Sequence, residues 1–413
     1  MSNRQTRKWV IVGALFTILT VLFGGMLNFG VFFEPIRQHF FWSHAQTSSL
    51  ITVLLLTMMV ASPMVGLLLD RIEAQSSIAI GATIAIAAYA IASLANSYHV
   101  LLFAYGLLGL GLAMSTLVPV QVVIANWFEE RLRGTAFGVA AAGSAFGGVV
   151  MVLTADAEMG RWGWRDTYLA STVPIAMIVI PIVVLIVRSR PAVDAADSHH
   201  NQQLPGLEIG EGLRTRAFWT IMIAYLCWGF AIGMPIAHLI PYLMRSGYTA
   251  HTAAMVIVWY ELTGTIGSLL MGVFGDRLGG RFVLAACFVM ITASFWALLG
   301  AHSAGMEILF IFLFGFGVAA PAGLLAMLTV QTLGLRCFGF FSGAGQFVLF
   351  LGLAVAPFLG GWIVDLQHGV YRDAFELCAL IALCGAVVSL AVAVPRQRAT
   401  SEITQPQSAG AAL

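Results

Sequence analysis

Apolar residues in this chain are gathered into long stretches that are separated by short polar segments. A helix needs about 20 mostly apolar residues to cross a bilayer, because every backbone polar group must be satisfied within the segment. Twelve stretches reach that length, and we number them helix 1 to helix 12 in chain order. Their predicted limits are residues 9–33, 47–69, 77–96, 100–124, 134–155, 168–188, 218–243, 253–274, 282–300, 306–330, 338–362 and 373–395.

A polar segment divides these twelve helices into two sets of six. Residues 188–216 contain charged residues, Pro and Gly, a composition typical of a linker. The adjacent His199 and His200 in this segment have no further ligands at metal-binding spacing, so neither a metal site nor a cofactor is predicted. The predicted organisation is an N-terminal six-helix bundle over residues 1–188, a cytoplasmic linker over 189–216, a C-terminal six-helix bundle over 217–396 and a cytoplasmic tail over 397–413.

Composition and charge agree with a membrane protein. Hydrophobic residues make up 60% of the 413 and charged residues only 9%, against about 25% in soluble domains. A net charge of +1 gives no basis for a nucleic-acid partner. Fifteen of the 20 Lys and Arg residues fall on the side of the two termini, which predicts a multi-pass protein of the cytoplasmic (inner) membrane with both termini in the cytoplasm.

The two halves of the chain resemble each other at an offset of 206 residues. Pro35 then falls on Pro241, and Gly66 falls on Gly272. Because both halves have the same orientation, they are predicted to be parallel repeats related by an axis along the membrane normal. A solute site is expected where such repeats meet.

An acidic residue follows each of these glycines by four positions, at a turn on the cytoplasmic side. Such an anion can face the N-terminus of a neighbouring helix or an arginine of an inner loop, for example Arg131. Contacts of this kind could latch a gate; the alternative is that the charges only fix the topology. The predicted gating residues are Asp70, Arg71, Arg133, Asp276, Arg277 and Arg281.

The loop after helix 8 carries a recognisable motif, GxxxDRxGGR, from Gly272 to Arg281. It resembles the signature of the major facilitator superfamily, and residues 106–148 resemble its monocarboxylate and oxalate porter branch. The first half keeps Asp70 and Arg71 but departs from the motif at Glu73, so a weaker latch is expected there. The resemblance implies an all-α membrane fold of twelve helices in two six-helix pseudo-symmetric bundles, and a transporter that works by alternating access.

Glu261 is the one charged residue near the middle of a predicted span. An ionisable group at this depth is costly and is by default a functional hypothesis. It could bind and release a proton as the cavity opens to each side in turn. The alternative is a carboxyl kept protonated by a hydrogen bond between helices.

In the porter branch that the chain resembles, an arginine of helix 8 pairs with the carboxylate of the substrate. Ser268 occupies the corresponding position here, and no Lys or Arg lies in the middle of any span. A carboxylate would therefore have to be bound by hydroxyls, amides and helix N-termini. The candidate substrate-binding residues are Asn28, Tyr225, Trp228, His238, Trp259, Tyr260 and Gln346, although aromatic residues in spans also serve packing or face lipid.

Glycines suggest where helices bend or pack closely. Gly24 and Gly25 interrupt helix 1, and Gly229 and Gly233 precede Pro235 in helix 7, so bends are expected at both places. The glycines that line helix 5 permit either a sliding interface or tight static packing.

The predicted function is secondary active transport of a small organic solute, driven by protons. A small organic acid is the leading class because of the resemblance, and a neutral aromatic nutrient or a vitamin such as a flavin is the second. A membrane receptor that binds the solute without transporting it is the alternative of another class. The chain has no P-loop and no catalytic set of residues, so an enzyme is not expected. The expected partners are the lipid bilayer, the solute and protons, and we expect a monomer.

Overall fold

The computed structural model describes residues 3–189, 204–300 and 304–393. These residues are almost entirely helical. His199, His200 and the predicted tail over 397–413 lie outside the described residues.

The helices follow the predicted order. Their observed bounds are Asn3–Leu27 and Phe29–Phe40 for helix 1, His44–Leu69 for helix 2, Ala74–Ser93 for helix 3, Tyr98–Ser115 and Leu117–Trp127 for helix 4, Glu130–Pro174, Ile175–Val179 and Ile180–Leu185 for helices 5 and 6 together, Arg216–Arg245 for helix 7, Ala250–Leu278 for helix 8, Gly280–Leu299 for helix 9, Ala304–Ala319 and Pro321–Leu333 for helix 10, Phe338–Leu366 for helix 11 and Arg372–Ala391 for helix 12.

Eleven helical units within the described ranges are long and apolar enough to cross a membrane, and one of them holds two spans. This unit runs over 56 residues, Glu130–Leu185. As a single straight helix it would be about 84 Å long, nearly three times the thickness of the hydrocarbon layer. Its helix is broken at Gly163, where φ is 78° and ψ is 173°. Helix 5 precedes this break and helix 6 follows it, so the twelve predicted spans are confirmed.

Three spans are discontinuous: helix 1 at Asn28, helix 4 at Thr116 and helix 10 at Ala320. The break in helix 4 has a chemical cause, because Pro119 has no N–H to donate to the carbonyl four residues earlier. Pro321 likewise begins the second segment of helix 10. The glycines in helix 1 correctly indicated an interruption within one turn of Asn28, whereas the breaks in helices 4 and 10 were not predicted.

The bend expected in helix 7 stays a prediction, since the helix continues without a break from Arg216 to Arg245 through Pro235 and a continuous helix can still bend at proline. Gly229 and Gly233 instead pack against the backbone of helix 11, at Leu349 and Leu353. Close packing therefore explains these glycines.

Buried side chains form two hydrophobic cores, one for each bundle. The first is built mainly from helices 1 to 6 and the second from helices 7 to 12. The first core also takes in Met327 and Phe338 from the second half, both on the side of the membrane where the described chain begins and ends. We call this the termini side. The bundles therefore pack against each other on the termini side.

The described end of the linker is fastened to the second half. The Leu207 N–H donates to the Leu333 carbonyl at 2.9 Å, and the Leu335 N–H donates to the Pro205 carbonyl at 2.8 Å. Glu208 forms an ion pair with Arg336 at 2.8 Å. This part of the linker therefore holds the loop between helices 10 and 11.

Candidate functional site at the seam between helices 5 and 8

Helices 5 and 8 come from different halves and pack along a line of small residues that we call the seam. A Cβ added at Gly138 would lie 3.0 Å from the Cα of Gly272, and one added at Gly134 would lie 2.8 Å from the Gly272 carbonyl oxygen. These residues repeat every four positions, which keeps them on one face of each helix. The glycines thus permit direct backbone contact between the halves.

At the termini side, the seam ends at Asp276, whose carboxylate is bound near the N-terminus of helix 5. The Asp276 carboxylate accepts the backbone N–H of Gly134 at 2.7 Å and that of Thr135 at 2.7 Å. It also accepts the Thr135 hydroxyl at 2.6 Å. Gly134 and Thr135 are the fifth and sixth residues of helix 5, near the positive end of the helix dipole, so an anion is stabilised there. Of the two partners considered for Asp276, the helix N-terminus is the one observed.

The arginines predicted as gating residues contact groups other than the two aspartates. Arg133 donates through Nε to the Phe128 carbonyl at 3.1 Å, at the end of helix 4. Arg71 and Arg277 are exposed, and the guanidinium of Arg281 lies 4.6 Å from the ring of Phe282. Arg131 and Asp276 both line an open cavity of about 480 Å³. Among the described residues, none of these arginines forms an ion pair with Asp70 or Asp276.

Helices 2 and 11 form the related second seam, where Gly66 packs on the backbone of Gly339 and Gly343 packs on that of Ser62. Asp70 ends helix 2 here, and its Oδ1 lies 3.3 Å from where a Cβ of Gly339 would be. Within the described ranges its carboxylate has no hydrogen bond. Partial burial raises the pKa of Asp70 to about 6, although solvent reaches much of the side chain and screens the effect.

Glu261 lies at the mid-membrane end of the first seam. A Cβ added at Gly148 on helix 5 would lie 4.0 Å from the Glu261 carboxyl on helix 8. The same added Cβ would lie 2.9 Å from Cδ1 of Leu27 on helix 1. Leu27 directly precedes the break in helix 1 at Asn28. Helices 1, 5 and 8 therefore meet at this carboxyl. No side chain in the described parts of the chain donates a hydrogen bond to it.

Several buried polar atoms in the spans have no hydrogen-bond partner among the residues that the structure describes. They are Asn28 Oδ1, Ser144 Oγ, Tyr225 Oη, Ser268 Oγ and both amide atoms of Gln346. Buried polar groups are nearly always paired, so such atoms mark places where water or a ligand completes the pairing. Asn28, Tyr225 and Gln346 were predicted to bind substrate, whereas the hydroxyls of Ser144 and Ser268 were not.

The other predicted substrate-binding residues serve packing or face outward. The Trp228 indole donates to the Val318 carbonyl at 2.7 Å, and His238 Nε2 lies 2.9 Å from the Pro357 carbonyl oxygen. Tyr260 packs edge-on against Phe314. Trp259 is 53% exposed and lies about 200° around helix 8 from Glu261. The geometry brings none of these four side chains to the seam.

Sequence patterns also missed Thr135, which supplies two of the three hydrogen bonds to Asp276. Its position gave a signal, because it lies two residues after the charged stretch from Glu129 to Arg133 at the start of helix 5.

Two six-helix bundles that meet along seams of small residues, with a polar group at mid-depth, define the architecture of a solute transporter. The family profile described as Major Facilitator Superfamily matches residues 14–259 and 239–412. The chain belongs to this superfamily of transporters.

Individual relatives are distant but match over nearly the full length. An uncharacterized MFS-type transporter, YcxA of Bacillus subtilis, is 23% identical, with 97% of this chain and 98% of the relative covered. The mouse monocarboxylate transporter 12 is 19% identical over 96% of this chain and 88% of its own. The E. coli fucose:proton symporter FucP superposes with a TM-score of 0.75 at 17% identity, covering 92% of this chain and 98% of its own. Another FucP structure, in the outward conformation, has a TM-score of 0.74 at 16% identity, with 94% and 99% covered.

Proposed function

We propose that this protein is a secondary active transporter that moves a small organic solute by alternating access and couples the movement to protons at Glu261. The observation that carries the proposal is the unpartnered Glu261 carboxyl, which lies in mid-membrane where helices 1, 5 and 8 meet. A carboxyl without a partner at this depth is costly as an anion, so it favours a bound proton or a bound cation. Exposure to one side and then the other would change which of these it holds.

A single helix links the proton site to the gate. Glu261 and Asp276 are 15 positions apart on helix 8, about 22 Å along the axis. All glycine contacts between the two halves lie on the termini side or at mid-depth, which supports a conformation closed on that side. With both termini in the cytoplasm of a cell whose inner membrane holds the protein, this is the outward-facing state. The bundles over residues 1–188 and 217–396 would then rock about the two seams.

Two classes of solute have support at this stage. The relatives named monocarboxylate transporter 12 favour a small organic acid. The unpaired atoms of Asn28, Tyr225 and Gln346 favour a neutral aromatic nutrient or a vitamin such as a flavin, because amides and a phenol can bind uncharged polar groups. The predicted aromatic residues Trp228, Trp259 and Tyr260 and the predicted His238 would at most support the walls of that site.

Proton coupling can be tested in proteoliposomes that contain a pH-sensitive dye, with lactate, benzoate or riboflavin offered one at a time. Any of these solutes that the wild type transports should move together with, or in exchange for, protons. Glu261→Gln, which imitates the protonated side chain, should still exchange labelled solute but should no longer move protons. Glu376→Gln is the matched control, since it removes an acid at the outer end of helix 12, where Arg372 pairs with it at 2.7 Å.

Proton movement that persists in Glu261→Gln would contradict the coupling role. Binding without exchange of labelled solute would instead identify the protein as a receptor.

A further inference from the structure

The charges in the membrane core are unbalanced. Glu261 is an acid in the middle of a span, and the sequence supplies no Lys or Arg at that depth. From this imbalance, together with the position of the carboxyl, we propose that the transported solute carries a protonated nitrogen, which pairs with the Glu261 carboxylate and is exchanged for a proton. The inference rests on the proposed function for the place of Glu261 on the transport path, and it goes beyond it by naming the substrate class.

The neighbours of Glu261 provide no counter-charge. Helix 1 between residues 9 and 33, helix 5 between 134 and 154 and helix 10 between 308 and 332 contain no Asp, Glu, His, Lys or Arg. Within the described residues, the titratable group that interacts with Glu261 is the Tyr260 phenol of its own helix, which is uncharged at neutral pH. Glu261 is partly buried, and an anion at this depth without a protein partner is costly, so a cation from outside the protein would stabilise the carboxylate.

A second hydrogen-bond acceptor lies one residue further along helix 1. Asn28 follows Leu27, whose Cδ1 lies near the same point at Gly148 as the Glu261 carboxyl. The Asn28 Oδ1 is buried and has no hydrogen-bond partner within the described residues. A carboxylate and an amide oxygen together match the several N–H donors of an ammonium group. A carboxylate solute would instead face two acceptors.

Ser268 occupies the position at which the porter branch that the chain resembles has an arginine, and its surroundings leave no room for a long cationic side chain. Ser268 is 1% exposed, and its backbone packs directly against Gly138 across the seam. A long cationic side chain at this position would have to displace helix 5. Its absence removes the group that would neutralise an organic acid.

Three probes with one ring system and three charges test this inference on the full-length purified protein: 1-naphthylmethylamine, 1-naphthoate and 1-naphthamide. Calorimetry in two buffers of different ionisation enthalpy measures both affinity and proton exchange. We expect the amine to bind at least about 10-fold more tightly than the other two and to release protons as it binds. In Glu261→Gln, this preference and the proton release should both be lost, whereas Glu376→Gln should keep both.

The outcomes separate the two proposals. If 1-naphthoate or 1-naphthamide binds as tightly as the amine, or if the amine does not bind, the charge inference is wrong. In that case, Glu261-dependent proton exchange with either of the other probes would still support the proposed function. Amine binding with the same proton release in Glu261→Gln would overturn both.

Discussion

Asp70 and Asp276 occupy equivalent positions 206 residues apart, yet their surroundings differ. Asp276 accepts three hydrogen bonds from Gly134 and Thr135, near the start of helix 5. Asp70 approaches the first turn of helix 11 at Gly339 but has no hydrogen bond within the described residues. The steric parts of the two seams are alike, since Gly66 meets Gly339 as Gly272 meets Gly134.

Backbone packing and charge therefore contribute separately to the contact between the two halves. Backbone contact across glycines acts at both seams, whereas charge acts strongly at only one. The difference parallels the sequences of the two loops, because the first departs from the motif after Arg71 and begins helix 3 with Glu73 as its N-cap. If the two seams form the gate that we propose, closure on the termini side needs both halves for packing and the second half for electrostatics.

The largest expected effect is steric and the same at both seams. In Gly66→Ala or Gly272→Ala, the new methyl group would meet backbone atoms that cannot move aside, so each should destabilise the closed gate by up to about 3 kcal/mol. Opening can be measured by alkylation of Cys337, which lies at the start of helix 11 and is partly buried. Gly30→Ala is the control, because no atom lies within 4 Å of its added Cβ. Different alkylation rates in Gly66→Ala and Gly272→Ala would contradict the conclusion that backbone packing contributes equally at the two seams.

The next effect should occur at one seam only. Asp276→Asn keeps the size of the side chain but removes the charge and replaces one acceptor oxygen with a donating NH2 group, which should cost about 2 kcal/mol, or about 30-fold in the closed-to-open ratio. Asp70→Asn should change that ratio less than about threefold at pH 7. The alkylation rate of Cys337 reports both variants, and equal rates would show that the charge at Asp276 adds nothing to the latch.

A smaller effect is expected at Thr135. Thr135→Val removes only the hydroxyl that donates to Asp276 and leaves both backbone hydrogen bonds, so closure should weaken by about 1 kcal/mol. Thr135→Ser should restore the wild-type rate, since it restores the hydroxyl. A serine variant as open as the valine variant would point to lost packing instead.

The smallest effect is expected at Asp70, in the second seam, and it depends on pH. Burial raises the pKa of Asp70 to about 6 in the closed gate, and exposure to water on opening would return it towards 3.8. The closed gate therefore binds this proton more tightly, so closure should strengthen as the pH falls from 7.5 through 6. Asp70→Asn should abolish this part of the pH dependence, whereas Asp276→Asn should retain it. Alkylation rates corrected for thiol ionisation would measure the change, and an unchanged profile in Asp70→Asn would contradict the assignment.

Sequence patterns could find Glu261 because a charge inside an apolar stretch is visible without a structure. They could also mark Asn28, Tyr225 and Gln346 as polar residues within spans. They could not tell these from Trp228 or His238, because pairing with carbonyls of distant helices decides which polar atoms remain free. Nor could they choose between an arginine and a helix N-terminus as the partner of Asp276.

The sequence by itself determined the twelve spans and the two related halves, because bilayer thickness and backbone hydrogen bonding act on each segment separately. Only the tertiary structure decided that Asp276 is bound by helix 5, that Asp70 is not bound in the same way, and that Glu261 lies beside the break in helix 1. These facts depend on how side chains of different helices approach, which is set by packing between segments far apart in the chain.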